Sequence, residues 1–232
     1  MKLFLVLFFF VPVVTFGQLY QTMKVGVIND PDGYTFVRNG PSLEAQVIDT
    51  VLINELFLYH PSDSLQWLKV SVGFRNGYMH KSRILNTRDL SQNEQKTLLT
   101  VVFEEEKRLY LAARLGKEES RKSNFFHDSQ FQPSLELLVH HICKYKDDEV
   151  MDRFLKLLNV ESGSADELPS WALGYIYLLR PDFVLKHIAK YNSYIITSHL
   201  DFGFANVTWG GAIDTIPNYQ ELERKLDSFF RK

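Results

Sequence analysis

The sequence predicts a β-plus-α chain: a small, closed β-barrel followed by an all-helical domain, both carried behind an export signal. Three observations predict it. Between Lys24 and Leu85, five short β-rich runs succeed one another with no helix between them, the pattern of a barrel. From Ser91 onward, apolar residues recur at helical spacing between Gly, Asp and Pro breaks. Ahead of both, Lys2 precedes an almost unbroken apolar run from Leu3 to Phe16. The expected divisions are a signal peptide at 1–17, the barrel at 18–86 and the helical domain at 90–232.

The barrel is read element by element. Tyr34, Phe36 and Arg38 alternate with Thr35, Val37 and Asn39, the period-2 pattern of a half-buried strand, and Gly40-Pro41-Ser42 ends it. Gln46 to Val51 is β-rich, and Leu56 to Tyr59 is apolar and aromatic. Asn54 between them suits a tight turn, because Asn tolerates the left-handed conformation. His60-Pro61-Ser62-Asp63-Ser64 is loop chemistry, and Trp67-Leu68-Lys69-Val70 is a strand. Asn76-Gly77 is the strongest short turn signal in the chain, with Tyr78-Met79-His80 as the last strand.

These segments together resemble the bacterial SH3 family. The motifs that carry the likeness are Val37-Arg38-Asn39-Gly40-Pro41-Ser42, Val47-Ile48-Asp49-Thr50, Asn54-Glu55, Trp67-Leu68-Lys69-Val70 and Gly77-Tyr78-Met79-His80. They fall in the family's order over roughly a quarter of the chain. The departures are Asn39 for a usual Ser, Asp49 and Asn54 for usual glycines, and Phe36 for a common Asn. The resemblance implies binding rather than catalysis, with cell-wall peptide or a protein partner as the ligand. It implies a surface rather than a known site. Tyr34, Phe36, Trp67 and Tyr78 are the candidates for stacking area, and Arg38 and His80 for polar contacts. The competing structural roles are barrel core for Trp67 and Tyr78, and carbonyl bridging for Arg38. Phe36 is the leading functional candidate, since an outward Phe with no structural task marks an interaction patch.

Composition bounds the rest. The chain has 232 residues, with 45% apolar and 23% charged, ordinary for a soluble globular protein. A net charge of −2 gives no basic excess to displace counterions from nucleic acid. Thr15-Phe16-Gly17 ends the apolar run with small residues at −3 and −1, so Gln18 is the expected start of an exported chain, periplasmic or extracellular. The run is shorter than the roughly 20 residues a membrane span needs, and no Cys follows it as a lipid anchor. The one cysteine, Cys143, leaves no intramolecular disulfide. A barrel of about 60 residues is marginal alone, so packing against the helical half is expected.

The helices follow in order. Ser91-Gln92-Asn93-Glu94 is a capping box, and the helix it opens runs to Leu115, where Gly116 stops it. Leu98, Val102, Leu109, Ala112 and Ala113 form its apolar stripe, with Glu104-Glu105-Glu106 on a solvated face. Lys117 to Gln132 is a polar loop or short helix pinned by Phe125, Phe126 and Phe131. Pro133 begins a helix to about Tyr145, and Asp147-Asp148 begins the next, with Val150, Met151, Phe154, Leu157 and Leu158 inward. Glu161-Ser162-Gly163-Ser164 is a turn. Helices are expected at Leu168–Leu179, Pro181–Lys190 and Ser193–Leu200, an irregular Gly-rich loop at Asp201–Ile216, and a last helix from Pro217. This makes about six or seven helices with antiparallel neighbours. Helix-loop-helix units recur between residues 133 and 200 in the manner of a HEAT-like stack, without a fixed repeat.

Catalytic chemistry is sparse in the sequence. Cys143 lies in the apolar run Leu135 to Cys143, at the wrong end of its helix for an activated thiolate. His140 and His141 point about 100° apart on a helix and do not share an ion easily. There is no His-Glu-x-x-His, Cys-x-x-Cys, phosphate loop, dinucleotide fingerprint or nucleophile elbow. The expectation is therefore no cofactor, no metal and no assigned catalytic residue. The Asp201–Thr215 loop, with Phe202, Phe204 and Trp209, is the one irregular aromatic stretch suited to lining a pocket. The reading is an exported, non-enzymatic binding protein for peptidoglycan peptide or a protein partner. The alternative is an envelope hydrolase that uses the barrel for targeting and carries a site in the helical half.

Overall fold

The computed structural model describes residues 23–160, 167–191, 193–209 and 218–231. The expected signal peptide and the Glu161–Ser164 turn lie outside them. An antiparallel sheet of seven strands comes first: β1 (Lys24–Ile28), β2 (Tyr34–Arg38), β3 (Val47–Leu52), β4 (Phe57–Tyr59), β5 (Trp67–Val72), β6 (Arg75–His80) and β7 (Ile84–Asn86). Their order is β3-β2-β6-β5-β4-β1-β7. Among the described residues no hydrogen-bonded pairing closes the expected ring, since β3 and β7 stand at the two ends of the strand order. The sheet instead wraps around a shared interior. Val37, Val51, Phe57, Leu68, Val70 and Met79 pack there with Ile48 of one edge strand and Ile84 of the other.

Two strands escaped the sequence pattern, for a physical reason. β1 buries both faces, so it shows no alternation. Ile28 joins the sheet core, while Val25 and Val27 join the core of the helical half. β7 has only three residues, all half-buried. The hairpin turn also differs from expectation. Val72 pairs with Arg75, so Gly73-Phe74 is the two-residue turn, with Gly73 at φ +54°. Asn76-Gly77 lies inside β6. Gly77 is required there by close approach: a Cβ would come 2.5 Å from Val37 Cγ1 and 2.6 Å from the Arg38 carbonyl oxygen. Asn54 does take the left-handed conformation, at φ 68°.

The helical half comprises α1 (Gln92–Ala112), α2 (Lys117–Phe126), α3 (Gln132–Tyr145), α4 (Asp148–Val160), α5 (Leu168–Leu179), α6 (Pro181–Ile188), α7 (Tyr194–Trp209) and α8 (Tyr219–Phe230). The capping box closes α1 reciprocally: Ser91 Oγ accepts from the Glu94 amide, and Glu94 accepts from the Ser91 amide. Lys117 to Gln132 is helical throughout the α2 side, passing through a π-helical turn at His127–Phe131 directly into α3. Asp147 caps α4, its Oδ1 accepting from the amides of Glu149 at 3.0 Å and Val150 at 3.1 Å.

The irregular loop expected from Asp201 is, as far as Trp209, the second half of α7; residues 210–216 lie outside the described set. Gly203 is therefore a helix-crossing glycine. A Cβ on it would collide with the Ser170 carbonyl, and one on Gly174 would collide with the Gly203 backbone. The backbones of α5 and α7 touch, and close contact offsets the helix penalty of both glycines.

The core of the helical half reaches into the sheet, beside the sheet's own interior. Val25, Val27 and Leu56 pack with Leu99, Phe103, Leu138 and Phe131. The Gln130 amide imitates a neighbouring strand: Oε1 accepts from Leu56 N at 2.8 Å, and Nε2 donates to Leu56 O at 3.2 Å. Thr87 Oγ1 donates to Val25 O at 3.2 Å. At the far end, Phe74 of the hairpin meets Phe125 edge-on at 5.9 Å. The packing expected from the marginal size of the sheet is thus present.

Candidate functional site

Strand alternation decides which side chains face outward. On β2, Thr35 and Val37 are buried, so Tyr34, Phe36 and Arg38 point away from the sheet core. On β6, Gly77 and Met79 are buried, so Tyr78 and His80 point outward. On β5, Leu68 and Val70 are buried, so Trp67 and Lys69 point outward. The registers then bring these residues together. Arg38 lies opposite Tyr78, Tyr78 opposite Lys69, and His80 opposite Trp67. All six sequence candidates, Tyr34, Phe36, Arg38, Trp67, Tyr78 and His80, therefore share the outer face of three adjacent strands.

Their environments differ along the row. Tyr34 and Phe36 are 43% and 41% exposed and meet edge-to-face at 5.4 Å. The Arg38 guanidinium stands 6.0 Å from the Phe36 ring centre, while its Nη1 donates to the Ala45 carbonyl at 2.7 Å. Arg38 thus bridges a carbonyl and braces an exposed ring at once. Trp67 and His80 meet edge-to-face at 5.4 Å. His80 Nδ1 accepts from the Ser82 amide at 3.3 Å, capping the turn that follows. Trp67 and Tyr78 are half-buried and lie outside the sheet core.

The apolar row continues onto the edge strand. Leu52 lies opposite Tyr34, and Leu52 and Ile53 are both largely exposed. Sequence reasoning passed over these two, although Leu52-Ile53 before the Asn54 turn is an apolar pair that a solvent-facing turn does not need. The backbone of this edge is covered by side chains. Asp49 Oδ1 accepts from Thr50 N at 2.9 Å, Glu55 Oε2 accepts from Leu52 N at 2.8 Å, and Arg75 Nη1 donates to Ile48 O at 2.8 Å. Blunting an edge with charges disfavours strand addition. What this face presents is side chains rather than free backbone.

Many ionisable groups of the helical half are used in ion pairs. Glu105 pairs with Arg108 along α1, and Glu104 ties α1 to Arg153 of α4. Glu106 departs from the solvated face expected of the acidic triplet. It is 1% exposed, its Oε1 is 2.5 Å from His127 Nδ1, and its Oε2 has no partner. His187 is fully buried between two carboxylates, Asp152 at 2.6 Å and Asp148 at 2.7 Å, joining α6 to α4. His199 Nδ1 is 2.6 Å from Ser170 Oγ, and burial pushes the imidazole pKa down. This serine–histidine pair sits at the α5–α7 crossing with Ser170 buried, so it ties two helices. His141 is buried between Gln95 at 3.2 Å and Asp147 at 3.5 Å, with its pKa lowered by burial. Burial raises the pKa of the half-buried Cys143 thiol, the opposite of nucleophile activation. Among the described residues, no three His, Cys, Asp or Glu side chains are grouped to hold a metal ion, and no helix is long and apolar enough to cross a membrane.

No family model matches the chain, and neither a curated protein nor a solved structure matches it significantly.

Proposed function

We propose that this is an exported, non-enzymatic binding protein whose bacterial SH3-like sheet reads peptide of the cell wall through its outer face. The observation that carries the reading is the convergence of Tyr34, Phe36, Arg38, Trp67, Tyr78 and His80 on one side of β2, β6 and β5. Two of these rings remain substantially exposed, and Leu52 and Ile53 extend them. Exposed aromatic area beside a braced Arg suits extended peptide, where ring faces supply contact and the guanidinium supplies polar direction. The helical half is read as an αα stack of HEAT type behind the sheet. Its short connections, Lys146-Asp147 between α3 and α4 and Arg180 between α5 and α6, support that reading.

The test is retention of the chain from Gln18 to Lys232 on purified peptidoglycan, with Phe36→Ala alongside, and a parallel incubation with an envelope extract. Retention on the wall that falls about tenfold in the variant, the scale of a central aromatic contact, supports the proposal. No retention on peptidoglycan, with one dominant protein recovered from the extract, replaces the wall ligand by a protein partner. Retention unaffected by Phe36→Ala removes this face as the site.

A further inference from the structure

A groove of about 750 Å³ separates α3 from α5, with Glu136, His140, Trp171 and Tyr175 in its lining. Its unpaired polar atoms, Glu136 Oε2, His140 Nε2 and Trp171 Nε1, are buried rather than turned into the opening, so they select no ligand for it. The exposed side of α2 is different, because there both charge and apolar area stand in solvent.

Lys117, Arg121 and Phe125 follow i, i+4, i+8 on α2, within about 80° of one another around the helix axis. Arg114 comes from the short turn that leads into α2, and it lines one shallow depression with Lys117 and Arg121. These three cations make no ion pair with a described residue, whereas neighbouring charges do. Arg108 is held by Glu105, and Lys122 by Glu118 and Glu119 on the adjoining face of α2. Arg114 keeps one internal contact, its guanidinium standing 5.7 Å from the Tyr110 ring centre. Apolar side chains flank the cations at both ends. Leu115, beside Arg114, is 84% exposed. Phe125 is 54% exposed and meets Phe74 of the β5–β6 hairpin, itself 72% exposed.

We propose that this side of α2 rests on a lipid bilayer bearing anionic headgroups, with Arg114, Lys117 and Arg121 at the phosphates and Leu115, Phe125 and Phe74 at the acyl boundary. Charge complementarity selects the partner. The chain as a whole carries a net charge of −2, so attraction to an anionic surface is local, and the three unpaired cations supply it. The exposed rings and Leu115 select a bilayer over a soluble polyanion. A polyanion in water pairs with the cations and leaves the apolar side chains where they were. A bilayer takes both, since basic residues lie at the headgroups while Leu and Phe enter the apolar boundary. The strip is short: Lys117 to Phe125 covers eight steps of 1.5 Å, about 12 Å. Few charges fit in that length, so the contact is reversible and salt-sensitive rather than an anchor. It does not depend on what the outer face of the sheet binds.

The test is flotation of the chain from Gln18 to Lys232 with vesicles of phosphatidylcholine alone or of phosphatidylcholine mixed with phosphatidylglycerol. Starting at Gln18 keeps every described residue and removes the apolar run Leu3 to Phe16, which would enter lipid by itself. The expected result at low salt is binding to the mixed vesicles about tenfold or more tighter than to neutral ones, weakening as added salt shortens the Debye length. Lys117→Gln/Arg121→Gln weakens it about 25-fold, near fivefold for each charge lost. Lys156→Gln/Arg224→Gln, which removes the same charge from exposed positions of α4 and α8, leaves it unchanged. Leu115→Ser weakens it about fourfold or more, the size of one methylene leaving lipid. Each substituted side chain is exposed, and circular dichroism checks that the fold is kept. Equal binding to both kinds of vesicle, binding to neither, or an equal loss in the α4 and α8 variant overturns the proposal. Capture by mixed vesicles that Leu115→Ser leaves unweakened overturns it too, in favour of a soluble polyanion as the partner of the cations.

Discussion

The outer face of the sheet and the groove between α3 and α5 are opposite solutions to presenting a surface. On the sheet, apolar rings are left in water while the polar groups around them are satisfied: Arg38 on Ala45, His80 on Ser82, the edge amides on Asp49 and Glu55. In the groove, the polar atoms are hidden from water and left unpaired on Glu136, His140 and Trp171. A ligand of the first surface gains mainly by covering area. The comparison teaches that exposed apolar area and hidden, unpaired polarity are separate features, and that the described residues hold both.

The two surfaces rest on two cores joined where the helical core reaches into the sheet, and the largest effect expected tests that join. Gly203→Ala forces α5 away from α7, because the added methyl meets the Ser170 carbonyl. Overpacking a backbone contact of this kind is expected to cost about 3 kcal/mol or more. Since Val25, Val27 and Leu56 of the sheet belong to the helical core, the sheet is expected to unfold in the same transition. Urea unfolding followed by far-ultraviolet circular dichroism and by Trp67 fluorescence, in a Trp171→Phe and Trp209→Phe background, measures both. Coincident midpoints, shifted together, are the expected outcome. Separated midpoints would show that the two surfaces sit on independent folding units.

A narrower cut at the seam sharpens the same point. Gln130→Ala leaves the Leu56 N–H and C=O without their partners while removing little apolar area. The expected loss is about 1–3 kcal/mol. Hydrogen exchange at the Leu56 amide should accelerate with it. An unchanged exchange rate would show that the amide pair does not hold β4 to the π-helical turn.

The helical half also carries a pH dependence that comes from buried imidazoles. His140, His141 and His199 all have pKa values lowered by burial. Between the lowered folded values and the ordinary imidazole value, the unfolded chain binds more protons. Stability from these groups is therefore complete above the ordinary value and is lost as pH falls through the folded values. Glu136 acts in the opposite sense, since its pKa is raised by burial: its favourable share is lost as pH rises through the raised value. The urea midpoint is expected to fall between pH 7.5 and pH 5.5, and to fall less in His140→Gln/His141→Gln. An equal fall in that variant would assign the dependence elsewhere.

What was legible in the sequence follows the range of the interaction. Ser91-x-x-Glu94, Pro133 and Asp147 act within one helical turn, and the structure places helix starts at or beside each. The period-2 pattern of β2 fixed which side of the strand Phe36 occupies. Features created by a distant partner were not legible. β1 lost its alternation because it is buried from both sides. Asn76-Gly77 looked like a turn, but Gly77 answers to Val37 across the sheet. Gly203 looked like a loop residue, but it answers to Ser170 and Gly174. The groove is of the same kind: its α3 stripe was visible as an apolar helix containing His140 and Cys143, while the facing Trp171 is brought in only by packing.

Phe36→Ala is expected to have the smallest effect on stability and the most informative one on the comparison. Phe36 makes its ring contact with Tyr34 and carries the Arg38 guanidinium above it, yet it stays 41% exposed and outside the sheet core. Substitutions at such positions usually change stability by no more than about 0.5 kcal/mol. Leu68→Ala, one strand face away and buried, should cost about 2–5 kcal/mol. A large ratio between the two urea-derived values identifies Phe36 as a ring kept in water without a folding task. If Phe36→Ala instead costs more than about 1.5 kcal/mol, the Tyr34–Phe36–Arg38 row is a brace for β2 rather than a presented surface. The contrast between the two faces of the molecule would then reduce to the groove alone.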